Sequence, residues 1–403
     1  MKKVAIVVQR YHESIAGGSE ALAWQYAVLL GKVYYVDILT TTAIDYVTWA
    51  NVLPAGLEKR QGITIQRFPV TIGRSPYWHQ LHERLKQDYH DWVQGAGRTM
   101  RARRGSWSPG LQEEWIRHQG PYSESLLQFL QAQGDEYKAI IFVTYLYPTT
   151  YFGMFYVRSS RTLLVPTLHN EPTAYLNAFK YMARRARCIL WLTDAEREVG
   201  RNLWGELPGR VVALPVSTDL FSPLDLGYPY LLYCGRIDPH KATDQLIDFF
   251  MQFKQRHPSK LRLVFIGDDA LGVPTHPDIE YRGFVQAHEK FALMAGATLF
   301  VMPSPYESFS LATLEAMAQG TPVLVNSASA VLAEHVRQSG AGRTYKDYES
   351  FAAALEALLA DATARSEMGA LGREYVVSRY TPKRVMEALV TAVASADCGR
   401  GVR

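Results

Sequence analysis

Nowhere in these 403 residues does an apolar run approach the roughly 20 residues that a helix needs to cross a bilayer, so no membrane-spanning class is expected. Cysteine is scarce: Cys188, Cys234 and Cys398 are the full set, and their spacing pairs none of them. That excludes a disulfide scaffold and a zinc-ribbon pattern. With Cys188 and Cys234 inside apolar runs, buried thiols in a reducing compartment are expected. Charge of one sign is also lacking. A net charge of +4 is far from a nucleic-acid-binding composition, and no nucleic-acid partner is expected. No repeat of fixed period and no low-complexity tract occurs. Lys2 and Lys3 precede a short apolar run, but it ends at Gln9-Arg10 and is too short for a secretory leader. What remains is an ordinary globular composition, 48% hydrophobic, with length enough for two or three domains.

The richest stretch is residues 299–326, LFVMPSPYESFSLATLEAMAQGTPVLVN. Residues 299–302 read as a buried strand bounded by Pro303 and Pro305. A helix follows from near Ser310, with Leu311, Leu314 and Ala318 on one inward face and Gly320 and Pro322 as its stop. Residues 323–325 resume a buried strand, giving one unit of a parallel α/β sheet. A loop running from a strand end into a helix exposes backbone N–H groups, here around Phe309, Ser310 and Leu311, with the positive end of the helix dipole behind them. That suits a phosphate. Glu307 lies on the loop and Glu315 about one and a half turns into the helix. One carboxylate can face a group beyond the phosphate, and the other can accept from a ribose hydroxyl pair. Either glutamate alone reads as a solvated helix residue; two bracketing an anion site read differently.

The stretch resembles the Glu-x7-Glu signature of the family-4 retaining glycosyltransferases, P-S-x-x-E-G-F-G-L-x-x-x-E-A-M-A-x-G-x-P-V. It matches at Pro303, Ser304, Glu307, Phe309, Leu311, Glu315, Ala316, Met317, Ala318, Gly320, Pro322 and Val323, and departs at Ser308 and Ser310, where the family has glycine. The resemblance extends to Gly235-Arg236 with Lys241 five residues on, the family's diphosphate clamp. Lone cations in a loop are ordinarily solvated, but two on one loop can offset charge on a departing nucleoside diphosphate. Gly283, Phe284 and Val285 resemble the strand end where the family holds the base, largely through main-chain atoms.

Upstream the resemblance is thinner. Residues 4–8 read as a first buried strand, followed by a loop with Gly17-Gly18 and a helix over about residues 19–31 capped by Ser19. The G-x-G-x-x-G spacing of dinucleotide sites is missing. Gly17-Gly18 alone reads as a tight turn as readily as a site, and resembles the glycine pair that approaches the donor phosphate and sugar in the family. Further strands are expected over residues 33–40, 63–68, 139–144, 162–166 and 188–192. His169 lies in a polar loop at a strand's carboxyl end, where open α/β sheets bind ligands. It reads as a structural hydrogen-bonder, or, by resemblance, as a histidine set against the donor sugar. Thr193 to Glu196 resembles the family's S-x-x-E helix cap. The arginines at 98, 101, 103 and 104 and a basic helix over residues 180–187 read as solvated faces or as contacts for anionic lipid or a charged acceptor.

The fold class implied is α/β: two doubly wound, Rossmann-like domains facing across a cleft, the GT-B arrangement. Residues 1–214 would form the acceptor-side domain, completed by a helix over about residues 381–403, and residues 215–380 the donor-binding domain. The expected activity is transfer of a sugar from a nucleotide-sugar, a UDP-sugar such as UDP-glucose or else GDP-mannose, to a glycan or lipid-linked acceptor with retention. Glu307, Arg236, Lys241 and His169 are the catalytic candidates. The donor-binding candidates are Gly17, Gly18, Phe284, Val285, Phe309, Ser310, Leu311 and Glu315. No cofactor is expected, and Asp268-Asp269 reads as polar loop, not as a metal site. A cytoplasmic enzyme is expected, at most peripheral on the inner membrane face. Two competing readings stay open: a nucleotide-sugar epimerase or phosphorylase on the same fold, and a catalytically silent nucleotide-sugar-binding protein.

Overall fold

The structure is a computed structural model and describes residues 2–15, 17–94 and 107–395. The arginine run of residues 98–104 lies outside them. Two parallel sheets organise the chain. The first has eight strands, β1 (Lys3–Arg10), β2 (Tyr35–Thr41), β3 (Gly56–Arg60), β4 (Ile63–Phe68), β5 (Tyr137–Val143), β6 (Thr162–Val165), β7 (Cys188–Trp191) and β8 (Gly209–Val211). Their order is β3-β4-β2-β1-β5-β6-β7-β8, parallel throughout except for the antiparallel β3–β4 pair at one edge. The second has six, β9 (Tyr230–Cys234), β10 (Arg262–Ile266), β11 (Ile279–Tyr281), β12 (Leu299–Met302), β13 (Val323–Asn326) and β14 (Gly342–Tyr345), in the order β11-β10-β9-β12-β13-β14.

Strands covered by helices on both faces must be apolar along their whole length, and the central ones are, whereas the edge strands β3, β8, β11 and β14 are partly exposed. Val4, Ala5, Ile6, Val7 and Val8 in β1 are all fully buried, as are Leu299, Phe300 and Val301 in β12. The strand expected from residue 33 begins only at Tyr35, because Val33 and Tyr34 donate their N–H groups to Leu30 O and wrap the preceding helix end. Likewise β11 stops at Tyr281, since Gly283 turns at φ +72° and gives its carbonyl to Gly267 N–H.

By contact density the chain divides into two units, with boundaries at Leu214/Pro215 and Arg384/Val385. The first unit therefore reclaims the helix Pro382–Ala394 from Val385 on. Val385, Leu389, Ala392 and Val393 are buried, and Arg187 Nη2 donates to Ala392 O at 3.0 Å. That changes the reading of residues 180–187. The helix there is Asn177–Ala183, Arg187 is spent on Ala392, and Arg185 lies over the Phe155 ring with its Nε donating to Met154 O. Cys234 is a free thiol, but Cys188 is disulfide-bonded where a reduced thiol was expected. Spacing along a chain does not tell which distant segments meet, and the cysteines no longer argue for a reducing compartment. Among the described residues no helix is long and apolar enough to cross a membrane.

In each sheet the strand order reverses once, between β1 and β5 in the first and between β9 and β12 in the second. The loops leaving the carboxyl ends of those strands diverge at such a point and open a crevice. Gly17, Arg236, Lys241 and Glu307 lie on the loops after β1, β9 and β12, with Gly18 opening the helix beyond the first of them. His169 follows β6, Phe284 and Val285 follow β11, and Glu315 sits in the helix beyond the β12 loop.

Candidate functional site

In the second unit the loops after β9 and β12 are joined by an ion pair: Lys241 Nζ donates to Glu307 Oε1 at 2.7 Å, with both side chains partly buried. The β9 loop is held to shape by its own groups. Gly235 leaves the strand at φ +153°, and a Cβ on Gly267 would stand 2.0 Å from Gly235 O, so both glycines are needed for the two strand ends to approach. Tyr233 Oη donates to Arg236 O at 2.6 Å, and Arg236 Nε pairs with Asp238. Asp238 also accepts from Lys241 N–H at 2.9 Å, which ties the two cations to one turn. That turn ends with Ala242 in the left-handed region at φ +54° before the helix Thr243–Arg256. Asp269 folds inward, accepting from the N–H groups of Leu271, Gly272 and Val273. Among the described residues, no group of three or more His, Cys, Asp or Glu side chains is arranged to hold a metal ion.

After β12, Asn326 Nδ2 donates to Pro303 O and Ser304 Oγ to Tyr306 O, fixing the loop that carries Glu307. The helix Leu311–Ala318 starts at Ser310, which adopts φ +59° and ψ +63°. Ser310 Oγ meets Thr313 Oγ1 at 2.9 Å and caps no backbone N–H, so the first-turn amides have no side-chain cap. Phe309 is buried and its carbonyl points to His335 Nε2 at 2.9 Å. A carbonyl can only accept, so Nε2 carries the proton, and Nδ1 accepts from Tyr375 Oη at 3.0 Å. Tyr380 Oη then donates to Tyr375 Oη at 2.9 Å. Burial drives the His335 imidazole down to about 4, and the Phe309 carbonyl and Glu307 oppose this only in part. Glu315 is buried in the same helix. Burial pushes its carboxyl up, while Lys290 Nζ, 2.8 and 2.9 Å from its two oxygens, pulls it down. Phe284 is 71% exposed and Val285 half-buried on the loop after β11.

In the first unit Gly17 lies on the loop after β1 with Gly18 opening the helix that follows, and His169 lies on the loop after β6, one strand beyond the reversal. The helix Gly18–Leu30 is capped by Gly17, not by Ser19; the Ser19 hydroxyl is engaged with Thr144 Oγ1 at 2.7 Å, across the β1–β5 switch point. A Cβ on Gly17 would stand 2.0 Å from Glu20 Oε2, so this glycine makes room for a buried carboxylate that also pairs with Arg10 at 2.6 Å. Gly18 has open space around it. His169 Nδ1 lies 3.7 Å from Glu171 Oε1, and Glu171 in turn accepts from Tyr145 Oη at 2.7 Å. The preceding residue is pinned: Leu168 N–H donates to Glu196 Oε1 at 2.6 Å and Leu192 N–H to Oε2 at 2.5 Å. Thr193 caps the helix Asp194–Trp204 by accepting from Glu196 N–H, but the glutamate side chain takes the Leu168 and Leu192 amides instead of closing a capping box. Burial pushes the Glu196 carboxyl up to about 8 in spite of those two amides.

Sequence reasoning missed Lys290, His335, Glu20 and Arg10. Lys290 and His335 sit on helices with no spacing that links them to Glu315 or Phe309. Arg10 and Glu20 flank the glycine loop in sequence, ten residues apart, and that proximity was the available signal. A second concavity, lined in part by Lys3, Tyr35, Lys138 and Arg161, lies at the amino ends of β1, β2, β5 and β6, the end of the sheet that α/β crevices do not use.

Residues 228–361 match the protein family described as Glycosyl transferases group 1. The chain is similar to D-inositol 3-phosphate glycosyltransferase of Kineococcus radiotolerans, 31% identical over 240 residues, covering 50% of this chain and 55% of that protein. It is also 33% identical over 117 residues to the GDP-mannose-dependent alpha-(1-6)-phosphatidylinositol dimannoside mannosyltransferase of Mycobacterium tuberculosis, covering 28% of this chain and 30% of the relative. The first of these alignments spans about half of its relative's length and the second less than a third. Among solved structures, sucrose-phosphate synthase from Thermosynechococcus elongatus superposes with a TM-score of 0.66 at 17% identity, over 97% of this chain and 98% of that one. Over residues 228–361 the chain is thus similar to the group 1 glycosyl transferases, and its two Rossmann-like sheets have the fold of the GT-B glycosyltransferases.

Proposed function

We propose that this protein is a family-4 retaining glycosyltransferase that moves a sugar from a nucleotide-sugar to an acceptor hydroxyl in polysaccharide, lipopolysaccharide or glycolipid synthesis. The observation that carries the reading is the 2.7 Å Lys241–Glu307 pair, which couples the diphosphate-clamp loop to the loop feeding the helix Leu311–Ala318 at a strand-order reversal. Arg236, Lys241 and the first-turn amides around Phe309, Ser310 and Leu311 hold the diphosphate; Glu315 accepts from the ribose; main-chain atoms at Phe284 and Val285 meet the base. For the sugar the candidates are Gly17, Gly18 and His169. A UDP-sugar such as UDP-glucose is the first donor to test. GDP-mannose is the second, since the mycobacterial relative is GDP-mannose-dependent by name.

The chemistry follows from what the loops offer. A two-step route needs a carboxylate nucleophile on the far face of the sugar, and no residue here is assigned to that task. In front-face attack the anomeric C–O bond to the diphosphate breaks as the acceptor oxygen bonds to the same face. The acceptor proton passes to the departing phosphate oxygen. Lys241 has three protons, so it can keep Glu307 and still donate to the phosphate, while Glu307 orients the sugar hydroxyls. Because protein cations carry the developing charge, no metal is required.

Incubating the protein with each donor and a glycan or glycolipid acceptor, with and without excess EDTA, tests this. A product with the donor's anomeric configuration, formed in chelator, is expected; an inverted product, or donor consumed to an epimer without acceptor, overturns it. The acceptor is proposed to be lipid-linked at an anionic surface, on the support of Lys180, Arg184 and the 61% exposed Tyr181. Flotation with vesicles containing phosphatidylglycerol should show binding that falls with salt, and binding indifferent to lipid charge removes this part.

A further inference from the structure

Glu315 is gripped from one side by a single ammonium. Lys290 Nζ donates to both carboxylate oxygens, at 2.8 and 2.9 Å, from the adjacent helix Ala287–Gly296. Such a fork fixes the plane of the carboxylate as well as its charge. It also partitions the lone pairs. Each oxygen of an ionised carboxylate has two acceptor sites, and Lys290 occupies one on each. One site per oxygen remains, a carboxylate width apart, which is the spacing that two vicinal hydroxyls present.

We infer that Lys290 is a positioning residue for nucleotide recognition: it holds Glu315 ionised and oriented, so that the ribose diol meets a preformed double acceptor. This rests on the reading of Glu315 as the ribose acceptor. Without the ammonium, a carboxyl this deeply buried would favour its neutral form or a rotated plane. It would then offer the diol one good acceptor at most. Lys290 never needs to touch the ligand, and its effect should be confined to ligands that carry the diol.

Isothermal titration of Lys290→Met, Lys290→Arg, Glu315→Gln and the Lys290→Met/Glu315→Gln double variant with UDP and with 2′,3′-dideoxy-UDP tests this. Lys290→Met should weaken UDP by about tenfold, the scale of one charge-assisted hydrogen bond, and leave the dideoxy compound unchanged. Lys290→Arg, which keeps the charge and a forked donor, should restore most of the UDP affinity. In the Glu315→Gln background Lys290→Met should cost nothing further. Equal losses for the two ligands would mark a merely structural role and overturn the inference, as would unchanged UDP binding by Lys290→Met. If the unaltered protein binds neither UDP nor GDP, the proposed function fails and this inference with it.

Discussion

Ser310 holds a conformation that suits glycine. At φ +59° and ψ +63° its Cβ crowds the following carbonyl, at a cost of about 1–2 kcal/mol. The hydroxyl meets Thr313 and recovers part of that. Ser310→Gly should therefore stay within about 1 kcal/mol of the parent, relief of strain being offset by the lost hydroxyl and the freer unfolded chain. Ser310→Val, β-branched in the same region, should lose about 2 kcal/mol or more, read by urea unfolding. A sharper test of single residues concerns the charges. Lys241→Ala removes an interaction that matters most as the diphosphate departs, so turnover at saturating donor should fall by roughly 10²–10³-fold with the fold intact. Glu315→Ala should weaken UDP and the sugar nucleotide by the same factor, about 1.5–3 kcal/mol, whereas Glu307→Ala should spare UDP and cut transfer. If titration shows Glu307→Ala losing UDP as badly, the roles of the two glutamates are exchanged or shared.

At the scale of elements, the loop at Phe309 is held by the helix Ala330–Ser339 through His335, and that hold is sensitive to pH. The imidazole is pushed down to about 4 by burial, against about 6.5 in an unfolded chain. Between those values the unfolded chain binds the extra proton, so stability is complete above pH 6.5 and is lost as pH falls toward 4. The slope can reach about 1.4 kcal/mol per pH unit. His335→Gln keeps a donor for the Phe309 carbonyl and removes the titration. Its melting temperature should fall less between pH 7 and pH 5 than the parent's, and parallel curves would dismiss His335 as the source. Glu196 should act with the opposite sign. Its carboxyl rises from about 4.5 to about 8, so its contribution weakens as pH rises through that window.

These elements also mark how far the sequence could be read. Strands β1, β9 and β12 announce themselves as unbroken apolar runs because both faces are covered, and the glutamate pair stands out because a loop-to-helix junction concentrates chemistry in few residues. Lys290 and His335 were silent for a physical reason: each is meaningful only through a partner brought to it by helix packing, and a lone cation or imidazole on a helix has many ordinary uses. Ser19 misled because a hydroxyl beside a helix start can serve a neighbouring strand end, here Thr144, as well as its own amides. The disulfide at Cys188 was hidden in the same way, by a contact that spacing does not encode.

For the whole molecule, two units with separate cores should unfold as two calorimetric transitions. The proposed diphosphate, ribose and base contacts all fall within Pro215–Arg384, so UDP at 100 times its dissociation constant should stabilise that unit by about 2.7 kcal/mol. The other transition should move much less. Equal shifts would mean that the units melt together or that the first contributes as much to binding the free diphosphate. The return of the helix Pro382–Ala394 adds a temporal dimension. Its buried Leu389 and Val393 belong to a unit whose strands were all made before residue 214. On the ribosome the second unit is therefore fully synthesised first, while the earlier one waits with an apolar face uncovered. A released chain truncated after residue 384 should present a protease-resistant second unit beside a first that is still open to cleavage and to chaperones, and a chain that runs through Ala394 should be closed.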